Sequence, residues 1–253
     1  VFKRKRVVII AGLCFIALLV WRTPATLITP LLPPTVRLEG VSGSIWSGAA
    51  ARAQVDVAGR AWQLGRLRWT VGWSLQHGVA PRLTFDSAWG EQVLSGHVTA
   101  TAGGTFYLDD ISVVTDLRPV QALVPIFIGG QLEVFVEHLS WHERRGLAAA
   151  RGQVYWRDAV WTANRGDVGL GSYVLDVSGT DGQLRGDIVT RQGPLQLQGE
   201  VSMNPSAYQL DVLAQGPLFN DPDMQQAVAL FAVPEGEGYR IALSGSLPAL
   251  DGD

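Results

Sequence analysis

His138 and His142 stand four residues apart with Glu137 and Glu143 beside them. On a helix this spacing would place two imidazoles and nearby carboxylates on one face, the geometry of a zinc pair. The preceding Leu132, Val134 and Val136 alternate with polar residues, however. The segment therefore reads as a strand running into the polar turn Trp141 to Gly146, where the spacing gives no common ligating face and the histidines are surface residues. Asp109 and Asp110 are adjacent acids, but neighbours on a strand point to opposite faces, so they read as a turn pair and not as a catalytic dyad. Trp46, among the small residues Gly40 to Gly48, is either a ligand platform or a core indole at a sheet corner; the core reading is preferred. Cys14, the single cysteine, lies in an apolar run and offers neither a disulfide framework nor a cysteine-based metal site. The chain contains no nucleophile elbow, phosphate loop, dinucleotide fingerprint or paired-histidine zinc helix. No catalytic, cofactor-binding or metal-binding residue is assigned, and a non-enzymatic protein without cofactor is expected.

The elements that carry these side chains repeat one pattern. In Leu195 to Met203, Leu195, Leu197, Val201 and Met203 share one parity, and Gln196, Gln198, Glu200 and Ser202 the other. Tyr173, Leu175 and Val177 come before this strand, as do Leu184 and Ile188; Tyr208, Leu210 and Val212 come after it, and Tyr239, Ile241 and Leu243 follow. Turn residues separate these runs, which predicts a long antiparallel meander. Further strands are expected at Val36 to Gly40, Leu64 to Trp73, Leu83 to Phe85, Val93 to Ala100, Thr105 to Val114, Leu132 to Val136 and Gln153 to Val160. The small residues around Trp46 predict a hairpin whose backbone passes close beneath the indole. Five of the nine tryptophans lie between Trp46 and Trp89, which predicts thicker aromatic filling in the N-terminal half. Short helices are expected at Asp116 to Pro125 and after Asp221, the second capped by Asp221 with Pro222 in its first turn and Ala227, Val228, Leu230 and Phe231 as its apolar face. Glycine recurs between apolar residues at Gly96, Gly186, Gly199 and Gly245, which predicts a sheet curled into a trough or flattened barrel.

Charge and hydropathy place this sheet. Lys3, Arg4, Lys5, Arg6 and Arg22 precede the first acid, Glu39, so the net charge of −3 hides an acidic body that gives no support to nucleic-acid binding. Residues 1–6 read as a basic cytoplasmic N-terminus and 7–22 as a single transmembrane helix. A cleaved signal peptide is the rival reading, but Trp21, Arg22, Thr23 and Pro24 make a poor cleavage site. Residues 23–35 form a proline-rich linker, 36–248 a β-domain outside the inner membrane, in the periplasm of a two-membrane bacterium, and 249–253 a tail.

Several phrases carry a resemblance. Leu38 to Gly48 (LEGVSGSIWSG), Leu67 to Trp69, Gly171 to Gly186, Gly193 to Gly199 and Gly238 to Leu247, together with the basic single-span N-terminus, resemble the N protein of the bacterial type II secretion system, the general secretion pathway protein N family. The resemblance covers nearly the whole chain. It implies a role in moving folded proteins across the outer membrane, with partners among the inner-membrane platform and the outer-membrane secretin. The family's sheet is similar to that of AsmA-type envelope proteins, which leaves a second expectation open: a lipid-handling protein holding acyl chains along an apolar trough.

Overall fold

The computed structural model describes residues 20–57, 60–117, 128–163, 166–229 and 232–246. Its period-two alternation yields a mainly β protein, with antiparallel ladders throughout and few helical turns. Of the helix expected at Asp116 to Pro125, Asp116 instead ends a strand, Thr105–Asp116, and residues 118–125 lie outside the described residues, as does most of the apolar run 7–22. Among those described, no helix is long and apolar enough to cross a membrane. The chain divides into two compact units, Val1–Gly90 and Glu91–Asp253.

In the first unit β1 (Val36–Glu39), β3 (Ser47–Val57), β4 (Arg60–Ser74) and β5 (Ala80–Trp89) pair in that order, and the two-residue β2 (Ser42–Gly43) pairs with β3. Ser44 and Ser47 close the β2 to β3 hairpin, with Ser44 N donating to Ser47 O at 2.9 Å. Ala25, Ala50 and Trp69 are buried together, and Ile28, Leu38, Val41, Leu67, Val71, Leu83 and Phe85 pack on them. The expected close passage of backbone beneath an indole occurs, but the indole is that of Trp69, not Trp46. A Cβ at Gly48 would lie 2.4 Å from Trp69 Cζ2. Trp46 is half-buried and its Nε1 donates to Val20 O at 2.9 Å. The aromatic filling is also thinner than composition predicts, since Trp73 is 67% exposed and Trp89 51%. Trp73 lies at the end of β4, outside that buried cluster.

In the second unit β6 (Gln92–Ala100), β7 (Thr105–Asp116), β8 (Ile128–His142), β9 (Gly146–Ala163), β10 (Gly166–Thr180), β11 (Gln183–Gln192), β12 (Gln196–Met203) and β13 (Ala207–Gln215) pair in chain order. The chain then makes helix α1 (Pro222–Val228) and β14 (Val233–Glu235) before β15 (Gly238–Ser246) returns beside β13, leaving β14 outermost. No ladder among the described residues joins β14 or β15 to β6, so this sheet is open and the flattened-barrel alternative falls. The three residues of β14, one of them Pro234, are too few and too poor in donors to carry the sheet further.

Helix α1 forms as its sequence predicts: Asp221 accepts from Asp223 N at 2.8 Å and Pro222 occupies the first turn. Met224 and Val228 bury against Leu170, Tyr173, Leu195, Ala214 and Phe219, while Leu230 and Phe231 lie outside the described residues. The Tyr173 hydroxyl is shared between the carbonyls of Leu170 and Leu195, at 2.9 and 3.1 Å, and so ties β10 to the start of the next hairpin. Burial pushes this phenol well above its ordinary value. A raised folded pKa means stability is fully present below about pH 10 and is lost as pH rises beyond it. Tyr173→Phe is expected to cost about 1 kcal/mol at neutral pH and to remove that alkaline component. Denaturation of both proteins at pH 8 and pH 11 checks this: a gap that fails to narrow at the higher pH contradicts the assignment.

Candidate interaction surface

Cross-strand register decides which side chains meet, because directly paired residues on neighbouring strands project from the same face. On the polar face of the second unit, Asp176 pairs with Asp187, Asp187 with Glu200, and Glu200 with Asp211, an unbroken acid row across β10 to β13. Like charges set directly opposite one another destabilise a ladder. The two ends of the row are relieved. Gln153 Nε2 donates to Asp176 Oδ1 at 2.6 Å. Arg240 grips Asp211 through two bonds, Nε to Oδ1 at 2.8 Å and Nη2 to Oδ2 at 2.6 Å, and reaches Glu235 at 3.3 Å. That guanidinium, chiefly by hydrogen bonding, holds the Asp211 carboxyl below its ordinary range. Asp187 and Glu200, both exposed, have no ion-pair partner among the described residues.

Two residues further toward the strand ends, the same face carries Arg151, Ser178, Arg185, Ser202, Gln209 and Ser244 in one register row. Residues of this row border a concavity of about 1090 Å³, which Leu184, Met203 and Tyr208 from the opposite parity also line. Met203 and Tyr208 are 38% and 37% exposed, so the apolar face, covered by α1 at its other end, is accessible here.

The residues weighed for chemistry are dispersed. His138 lies on β8, as the alternation predicts, and His142, expected in the turn Trp141 to Gly146, is instead the last residue of that strand. His138 stands opposite Asp109, with Nδ1 2.8 Å from Asp109 Oδ1, whereas His142 Nδ1 accepts from Arg144 N at 3.1 Å in the following turn. Asp109 and Asp110 are not a turn pair. They sit within β7, where Asp110 takes φ +52° and a register shift against β6 marks a bulge. Asp109 is thereby buried and its Oδ2 finds no hydrogen-bond partner among the described residues. No group of three or more His, Cys, Asp and Glu able to hold a metal occurs among the described residues. Cys14 lies outside them. Sequence reasoning missed the acid row because its members are 11 to 13 residues apart; only the lengths of the intervening hairpins set them opposite.

The described residues thus define a mainly β protein, built on an antiparallel meander with an exposed charged row. The family model described as "Type II secretion system (T2SS), protein N" matches residues 34–242. The chain is also 30% identical over 255 residues to the type II secretion system protein N of Aeromonas hydrophila, a match covering 92% of this chain and 96% of that protein. No solved structure matches. The chain belongs to the type II secretion system protein N family.

Proposed function

We propose that this protein is a non-enzymatic component of the type II secretion system, anchored in the inner membrane by residues 7–22 with its N-terminus cytoplasmic and its β-domain in the periplasm. It supports export of folded proteins across the outer membrane through contacts with the inner-membrane platform and the outer-membrane secretin. The observation that carries this reading is the family match across residues 34–242. The exposed acid row is consistent with it, as a line of one sign that steers and orients a partner of the other. Deletion of the chain is expected to leave exoproteins in the periplasm, and affinity purification of the full-length chain to recover other secretion components. Normal secretion in the deletion strain with no co-purifying component contradicts the proposal.

A second reading, retention of a lipid acyl chain, is favoured by one feature: the half-exposed Met203 and Tyr208 in a concavity of about 1090 Å³. Mass spectrometry of the purified full-length chain separates the two readings. Stoichiometric phospholipid protected from delipidation by the β-domain supports the second; an empty protein removes it.

A further inference from the structure

The second unit ends on a strand whose outer edge is only partly covered. β14 pairs with Gly238, Tyr239 and Arg240 alone, while β15 continues for six residues to Ser246. Which backbone groups this leaves open follows from Pro234. It pairs with Tyr239 and has no N–H to give, so this is a non-hydrogen-bonded pair; the neighbouring pairs, Val233 with Arg240 and Glu235 with Gly238, carry the bonds. Even-numbered residues of β15 thus direct N–H and C=O toward the β14 side, and odd-numbered residues toward β13. The β13 to β15 register runs without a shift to Ser246. Beyond Arg240, Ala242, Ser244 and Ser246 therefore present their N–H and C=O groups to an edge that no described strand occupies, and all three residues are exposed.

Natural sheets blunt such edges with charge, proline, bulges or brevity. The first unit does so: β1 is four residues long and bears Arg37 and Glu39. β14 does so as well, with Pro234 and Glu235. The stretch Ile241 to Ser246 has no charge, no proline and no bulge. It alternates the apolar Ile241 and Leu243, the latter 41% exposed, with the small Ala242 and Ser244.

We propose that the β15 edge, Ile241 to Ser246, is where a partner protein docks by adding a strand, and that the added segment is basic on the polar face. This rests on the secretion reading above and names its contact. The chemistry of the occupant follows from the two faces. Opposite Ile241 and Leu243 the segment carries apolar residues that extend the sheet's apolar rows. On the other face, the row Asp176, Asp187, Glu200, Asp211 runs into Ala242, so the next position belongs to the partner. A lysine or arginine there continues the row; Asp211, about two strand spacings (~9.6 Å) away, is already held by Arg240, so the partner's cation answers the acidic region as a whole and not Asp211 alone. The charge of the region agrees. Residues 166–246 hold ten carboxylates against three arginines, a net of −7. A second copy would set two such bodies edge to edge, whereas a basic strand complements one.

The test uses the full-length chain in intact envelopes, with a photoreactive residue at Ser246. Capture of a secretion component through a lysine- or arginine-bearing segment is expected. Ser244→Pro, which removes an outward N–H and no ladder bond, should lower the yield at least tenfold while leaving the level of the chain unchanged. Glu200→Lys, exposed and away from the edge backbone, should lower it several-fold, and it serves where the proline variant is degraded. Equal capture by both variants, or capture of a second copy, overturns the proposal. If deleting the chain blocks secretion but Ser244→Pro captures and secretes normally, the edge assignment fails and the secretion reading stands. Normal secretion after deletion with nothing captured removes both.

Discussion

Trp69→Ala is expected to unfold the first unit's core locally and to cost about 3–5 kcal/mol, the range for emptying a buried indole site. Three losses coincide at this residue. It is 7% exposed, and among the described residues its cluster holds two other buried side chains, Ala25 and Ala50, neither of which can move into the space. Its Nε1 donates to Ile45 O at 3.2 Å, so the carbonyl at the hairpin loses its partner. Gly48, whose missing side chain makes room for the indole, is left beside a cavity. Trp73→Ala, four residues along the same strand but 67% exposed, should cost less than about 0.5 kcal/mol. Hydrogen exchange across β1 to β5 in the two variants reads the difference by region. Protection that falls equally in both means that Trp69 is not what holds this core.

That contrast also shows what period-two alternation can and cannot convey. Leu67, Trp69, Val71 and Trp73 share a parity, so their common face was legible, as were the strands they belong to. Which of them is buried depends on what lies over the sheet, and here that is Ala25 and Ile28, from a proline-rich stretch with no strand pattern. The strands of the second unit were legible for the same reason, including the capped helix after Asp221. β14 was not: three residues with a proline resemble a loop, and they are a strand only because β15 is there to pair with. Asp109 shows a different limit. A bulge at Asp110 turns it inward to His138, and a bulge is set by the register of two strands at once, which local sequence does not contain. The acid row and the open edge are likewise properties of register. The acids and the uncharged run IALSGS are plain in the chain; their placement follows only from pairing.

Gly199→Ala is expected to be the most damaging of the changes at the four recurring glycines, lowering stability by about 3 kcal/mol, the upper end of the usual range for overpacking. Curvature was the expected reason for this repeat, and the structure supplies a more specific one: each glycine clears a space that a neighbour fills. At Gly96, Gly186 and Gly245 the neighbour is a side chain, with an added Cβ lying 2.3 Å from Ile111 Cδ1, 2.7 Å from Leu175 Cδ1 and 2.6 Å from the Tyr208 ring. At Gly199 it is backbone. The Cβ would fall 2.1 Å from Asp211 O and 2.6 Å from Val212 Cα. Rotation of a leucine or isoleucine tip can relieve the first kind of clash at about 1 kcal/mol. The second has no such remedy, because β13 is held on both sides, by β12 and β15, and displacing it strains two ladders. Denaturant unfolding of Gly199→Ala beside Gly186→Ala, followed by hydrogen exchange over β12, β13 and β15, tests the distinction. Loss of protection should spread from β12 into β15 for Gly199→Ala and stay confined to β10 and β11 for Gly186→Ala; equal costs would mean that β13 can shift freely.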